Sequence, residues 1–163
     1  MNLPVSEVIE QGTKTIDFNY RKKAEGLMLK EFSGYIVSTT DGFDGIEEGV
    51  LILRKGYIVA ALYEILNYCI TVFGDSSIKH IANSFMNKKG IVDVYGLTNQ
   101  QVDLVTAFND KIKLARPITK KEISKTYLDR FSEEFSKELL KEVISSHESK
   151  ESVLKKFGLG RLG

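Results

Sequence analysis

The chain has 163 residues, 42% hydrophobic and 28% charged, with a formal net charge of +1, a composition that suits one compact soluble domain with an appendage. No apolar run approaches the roughly 20 residues of a membrane helix, the start MNLPVSEVIEQG lacks the regions of a signal peptide, and a single cysteine, Cys69, excludes an internal disulfide. Residues 1–110 carry 10 Lys/Arg against 14 Asp/Glu and residues 111–163 carry 13 against 8, which predicts an acidic globular domain over 1–115 and a basic helical extension over 116–163.

Pro4 before SEVIEQ and Gly12 after it predict a short first helix, and TKTIDF alternates like an edge strand. From Asn19 to Phe32, the residues Ala24, Leu27, Met28 and Phe32 fall on one helical face. Gly34 turns the chain into a strand, GYIVSTT. The stretch DGFDGIEEG, dense in Asp, Glu and Gly, reads as the loop of a hairpin.

In GVLILRKGYIVAALYE, residues 49–64, two apolar strands fold back at Lys55-Gly56. No polar residue interrupts the second strand from Tyr57 to Tyr63. It is therefore expected at the centre of the sheet with both faces covered, by helices such as 20–32 and 76–87 or by a second copy. The small pair Ala60-Ala61 lets a cover approach closely. EILNYCITVFG fits either a strand or a buried helix; its Cys69, among apolar neighbours, reads as a buried thiol, and a reducing cytoplasm is the expected compartment.

Asp75 and Ser76 cap a helix, SSIKHIANSFMN, with Ile78, Ile81, Ala82 and Phe85 inward, and a strand, IVDVY, follows. Thr98 and Gln101 form a capping box for a helix with Val102, Val105, Phe108 and Ile112 inward. A second box, Thr119 and Glu122, opens about 28 residues without Gly or Pro. These predict a long amphipathic helix over 119–146 with the stripe Leu128, Phe131, Phe135, Leu139 and Val143. ESVLKKF then stops at Gly158. The expected fold class is α+β, an antiparallel sheet with helices packed on it plus this long C-terminal helix.

Several constellations have chemical meaning in other contexts. GLGRLG, the last six residues, matches a dinucleotide-binding pattern, but a helix precedes it and none follows to receive a pyrophosphate. Asp41, Asp44, Glu47 and Glu48 supply oxygen ligands without calcium-loop spacing and without an apolar pocket for acid–base work; they read as a solvated loop. Cys69 with His80 or His147 lies in no nucleophile motif, and one Cys with two scattered His makes no zinc site. Arg21, Lys22 and Lys23 form one basic cluster; Lys111, Lys113, Arg116, Lys120, Lys121 and Lys125 form another, followed by Tyr127 and Phe131. Basic residues interleaved with aromatics bind RNA in some proteins, although Glu122, Asp129, Glu133, Glu134, Glu138 and Glu142 dilute the charge. No catalytic, cofactor-binding or metal-binding residue is assigned.

Taken together, LKEFSGYIVSTT, GIEEGVLILRKGYIVAALYE and GIVDVYGLTNQQVDLVTAFN resemble an uncharacterised archaeal family known only as a domain of unknown function, over roughly residues 1–115, with a weaker echo in VLKKFGL. The hairpin is also similar to PATAN-type domains, which occur beside small GTPases and response regulators. Gly49, Leu51, Gly56, Ile58 and Ala61 fill their pattern G-x-L-x-x-x-x-G-x-I-x-x-A, and Ala82 stands as the small residue of the following helix; EILNYCITVFG departs from that pattern as an insertion. The first resemblance brings no catalytic residues, and the second implies a signalling or scaffolding adaptor. The expected function is a non-catalytic protein-interaction or oligomerisation module, cytoplasmic and homodimeric, without cofactor. The alternative is an RNA- or ribosome-associated factor using the basic extension. The stop at GLGRLG, with no closing element, is expected of a fragment of a longer protein.

Overall fold

Seven strands form one antiparallel sheet in a computed structural model of the chain, which describes residues 3–4 and 6–142. In chain order they are β1 (Glu7–Lys14), β2 (Gly34–Gly42), β3 (Gly45–Arg54), β4 (Tyr57–Ile65), β5 (Ile70–Phe73), β6 (Gly90–Gly96) and β7 (Lys113–Ile118). The helices are α1 (Tyr20–Leu29), α2 (Ile78–Ser84), α3 (Asn99–Phe108) and α4 (Lys120–Ile123). Strand order is β1-β6-β2-β3-β4, and β5 and β7 share the far side of β4. β5 pairs with Leu62–Ile65, and β7 meets Ile58 and Ala60.

The strand that is apolar on both faces, β4, thus lies inside the sheet. Helix α2 covers one face, as expected; the second cover is α3, which the sequence reading did not assign to that role. Gly49 lets α2 settle, because a Cβ there would stand 2.9 Å from Ser38 Oγ and 3.2 Å from Ile81 Cγ1. Between β3 and β4, Lys55 (φ 49°) and Gly56 (φ 77°) both adopt the left-handed conformation that a two-residue type I′ turn requires. A Cβ on Gly56 would meet the Met28 carbonyl oxygen at 2.3 Å.

Several expectations are corrected. The predicted helix over SEVIEQ is β1: a segment this short cannot sustain a helix alone, whereas β6 offers it a ladder. Gly12 (φ 67°) sits at an irregularity of β1 and donates its N–H to Asp93 Oδ1 at 2.6 Å. The acidic loop shrinks to Phe43-Asp44, since β2 runs to Gly42 and β3 starts at Gly45. EILNYCITVFG resolves into the end of β4, a 3-10 turn (Leu66–Tyr68) and β5. Cys69 lies exposed at that turn with φ 52°, not buried. Both capping boxes form. In α3, Val102 and Val105 face inward, but Phe108 is 83% exposed.

The long helix over 119–146 is broken. α4 ends at Ile123, a 3-10 turn covers Ser124–Thr126, residues 127–132 are irregular, and helix resumes over 134–142. Tertiary contacts explain the break despite a helix-compatible sequence. Asn83 pairs with the backbone of Ser132, accepting its N–H at 2.8 Å and donating to its carbonyl at 2.9 Å. Tyr127 meets the Tyr20 ring edge-on at 5.4 Å and donates its hydroxyl proton to the Arg21 carbonyl. Leu128 and Phe131 therefore lie outside any helix. Val143, His147, ESVLKKF and GLGRLG fall outside the described residues.

The chain divides into two compact units, 1–132 and 133–163. The second half of β7 (116–118) and α4, within the predicted extension, belong to the first. No helix among the described residues is long and apolar enough to cross a membrane.

Candidate functional site

Alternation sends successive side chains to opposite faces of the sheet. On the α2 side, Ile36, Ser38, Thr40, Glu47, Leu51, Ala61, Tyr63, Ile65, Val92 and Val94 are all buried. On the opposite face, Tyr35, Val50, Ile52, Ala60 and Leu62 pack with Leu97, Val102, Val105 and Ile112. α3 is held there at several points. Ser33 Oγ donates to Asn99 Oδ1 at 2.7 Å, and the Ser33 carbonyl accepts the Leu97 N–H at 2.9 Å. Arg54 grips both oxygens of Asp103, at 2.6 and 2.9 Å.

The cover stops short of the hairpin tips. The next row across this face is Ile91, Thr39, Glu48, Glu64 and Thr71, each opposite its neighbour on the adjacent strand. Not one of the five is buried. Asp93, one row nearer α3, is also partly exposed. Where this row meets the end of α3 there is a groove of about 480 Å³ lined by Leu62, Glu64, Phe73, Phe108 and Ile112, with Asp110 and Lys111 at its border. Phe73 and Phe108 are 39% and 83% exposed. The surface therefore combines two open aromatic rings with three carboxylates.

Polar contacts orient that row. Thr71 Oγ1 donates to Glu64 Oε1 at 3.1 Å. Partial burial pushes the Glu48 carboxyl above its ordinary value, and the carboxylates of Glu64 and Asp93 push the same way. The arrangement offers negative charge beside apolar surface. Among the described residues no group of three or more His, Cys, Asp or Glu could hold a metal.

The residues weighed from sequence are dispersed. Asp41 pairs with Lys89 at 3.6 Å, Asp44 accepts from the Tyr68 hydroxyl, and Glu47 turns to the buried face, where its Oε1 accepts the Phe43 N–H at 3.1 Å. Glu48 alone of the four reaches the open row. Cys69 is exposed at the β4–β5 turn, whereas His80 is buried on α2 with its ring 5.2 Å from that of Tyr63.

The basic residues are partly neutralised: Arg21 pairs with Glu25, Lys23 with Glu10, Lys113 with Asp110 and Arg116 with Glu122. Arg21 also lies over the Tyr127 ring at 5.3 Å, beside a cleft of about 520 Å³ that includes Tyr20, Asn87 and Lys88. Burial raises the Tyr127 hydroxyl to about 12, with nearby Glu25 adding to the effect.

Glu64, Asp93 and Phe73 were missed as site residues. Glu64 carried a faint signal, as the first polar residue after the apolar run, but only strand register places it against Glu48.

No curated protein and no solved structure gives a significant match. The family described as "uncharacterized protein conserved in archaea (DUF2226)" matches residues 1–109, two thirds of the chain and the whole surface just described except its border at 110–112. The chain belongs to this archaeal family.

Proposed function

We propose that the protein is a non-catalytic protein-interaction module that receives a partner on the open half of the α3-covered sheet face. The observation that carries this reading is the contrast between the two faces of the same strands. Opposite the open row, Thr40, Glu47 and Ile65 are buried, while Thr39, Glu48 and Glu64 stay accessible next to two exposed phenylalanines. Exposed apolar surface rimmed by polar groups is typical of interaction sites. The hairpin that resembles PATAN-type adaptors, Gly49 to Ala61, is flanked by two residues of that row, Glu48 before it and Glu64 after it, in keeping with an adaptor role. A second copy is the poorer partner, because two such faces would bring like charges together. An exposed free thiol at Cys69 fits a reducing cytoplasm.

The test is affinity capture from a native cell extract, with and without nuclease, using the intact chain and its Phe108→Asp variant. Defined proteins that survive nuclease and disappear with Phe108→Asp are the expected result. Capture unchanged by Phe108→Asp overturns the reading.

One observation favours a second reading, RNA binding. Arg21 and Tyr127, more than 100 residues apart in sequence, meet beside the 520 Å³ cleft, and Lys120, Lys121 and Lys125 are exposed nearby in the chain. On that reading capture is lost on nuclease treatment and falls steeply with salt.

A further inference from the structure

The chemistry of the open row points to the kind of partner. We infer that the row accepts a cationic amphipathic helix, with Lys or Arg side chains set between Glu48, Glu64 and Asp93 and an apolar side chain in the Phe73–Phe108 groove. The inference rests on the interaction-module reading and specifies the partner it leaves open.

Charge comes first. Glu48 and Glu64 lie directly opposite each other on adjacent strands, a placement that is destabilising for like charges. Asp93 adds a third carboxylate one row away and two strands over; burial first, and then the Glu64 and Asp93 carboxylates, push the Glu48 carboxyl upward. A cation placed over the Glu48–Glu64 pair relieves repulsion that the chain's own fold has built, whereas an anionic partner adds to it. At the groove, Glu64 and Asp110 stand beside one cation, Lys111, and Glu48 lies directly across from Glu64. Complementarity therefore selects a basic segment over an acidic or neutral one.

Backbone chemistry selects the conformation. From β6 through β2 and β3 to β4 the row belongs to strands paired on both sides, and β5 alone of the five is an edge. Over the face of those four strands it presents side chains and no free ladder. An extended peptide would bring an unpaired backbone against it, while a helix satisfies its own hydrogen bonds. Size agrees. From Ile91 to Thr71 the row crosses four inter-strand steps of about 4.8 Å, roughly 19 Å in all, which about 13 helical residues span. The groove of about 480 Å³ between Leu62, Phe73 and Phe108 has room for one bulky apolar side chain of such a helix.

The experiment uses the full chain and two labelled 18-residue helical peptides, one of leucine and lysine and one of leucine and glutamate, read by fluorescence anisotropy at physiological salt. The Leu/Lys peptide is expected to bind and the Leu/Glu peptide not. The double variant Glu48→Gln/Glu64→Gln, which keeps the fold by relieving a like-charge pair, is expected to weaken Leu/Lys binding by about tenfold or more. The control Asp17→Asn/Glu31→Gln, which removes the same charge from exposed sites elsewhere, is expected to leave it unchanged. Equal binding of the two peptides, or equal loss in the double variant and the control, overturns the inference. Absence of Leu/Lys binding alongside a Phe108-dependent protein capture also overturns it, and leaves the interaction-module reading standing. A capture that ignores Phe108 removes both.

Discussion

Glu48 on β3 stands directly opposite Glu64 on β4, while its sequence neighbour Glu47, pointing to the other face, stands opposite Ile65 and is fully buried. Two adjacent glutamates thus have opposite fates. One contributes to the interior under α2, and the other to an accessible anionic row that α3 does not reach.

Glu48→Gln tests that relationship through pH. The folded-state carboxyl is raised above its unfolded value, so below about pH 4.3, the unfolded value, both states are protonated and wild type and variant are equally stable. As pH rises through the folded value, ionisation costs the native state more than the unfolded one, and this contribution is lost. Wild type is therefore expected to fall behind Glu48→Gln between pH 4 and 7, by about 0.5 kcal/mol at neutrality. Thermal unfolding across that range measures it. A constant offset at every pH contradicts the assignment.

The β3–β4 turn gives a second prediction. Gly56→Ala introduces a Cβ at positive φ and 2.3 Å from a backbone oxygen, and is expected to cost about 2 kcal/mol or more. Lys55→Asn, at a position where φ is 49° and Asn is well tolerated, is expected to add about 0.5 kcal/mol. Urea denaturation midpoints moving in opposite directions for the two variants are the readout.

Asn83 is the third. Its side chain makes both hydrogen bonds to the Ser132 backbone from a position only 1% exposed. Asn83→Leu keeps similar volume and removes both, with an expected loss of about 2 kcal/mol. Trypsin cleavage after Lys125 and Arg130 should accelerate in the folded protein. If cleavage there is unchanged while global stability falls, Asn83 matters to packing under α2 rather than to the 127–132 segment.

Cys69 supplies the fourth. An exposed thiol at a turn is expected to react with Ellman's reagent at full stoichiometry without denaturant. Reaction only after unfolding would restore the buried thiol that its neighbours Ile70 and Val72 suggest.

Much of the architecture was legible in local pattern. Lys55-Gly56 marked a tight hairpin, the unbroken run from Tyr57 to Tyr63 marked an interior strand, and Thr98 with Gln101 marked the start of α3. These features depend on interactions within a few residues or on burial of both faces, which composition records directly. Where local signals were weak, partners elsewhere decided. SEVIEQ became a strand because β6 was there to pair with it, and the helix-compatible run after Thr119 broke because Asn83 and Tyr20 hold segments of it in other conformations.

The candidate face belongs wholly to the second kind of information. The amino-acid sequence alone determined that this is an α+β chain with an apolar hairpin at its heart, a free cysteine and no self-sufficient catalytic motif. Only the tertiary structure decided which carboxylates share a surface. Strand register aligns Glu48 with Glu64 and Thr39 across gaps of 9 to 16 residues. A shift of one residue in either pairing would send those side chains to opposite faces, and spacing along the chain carries no record of that choice.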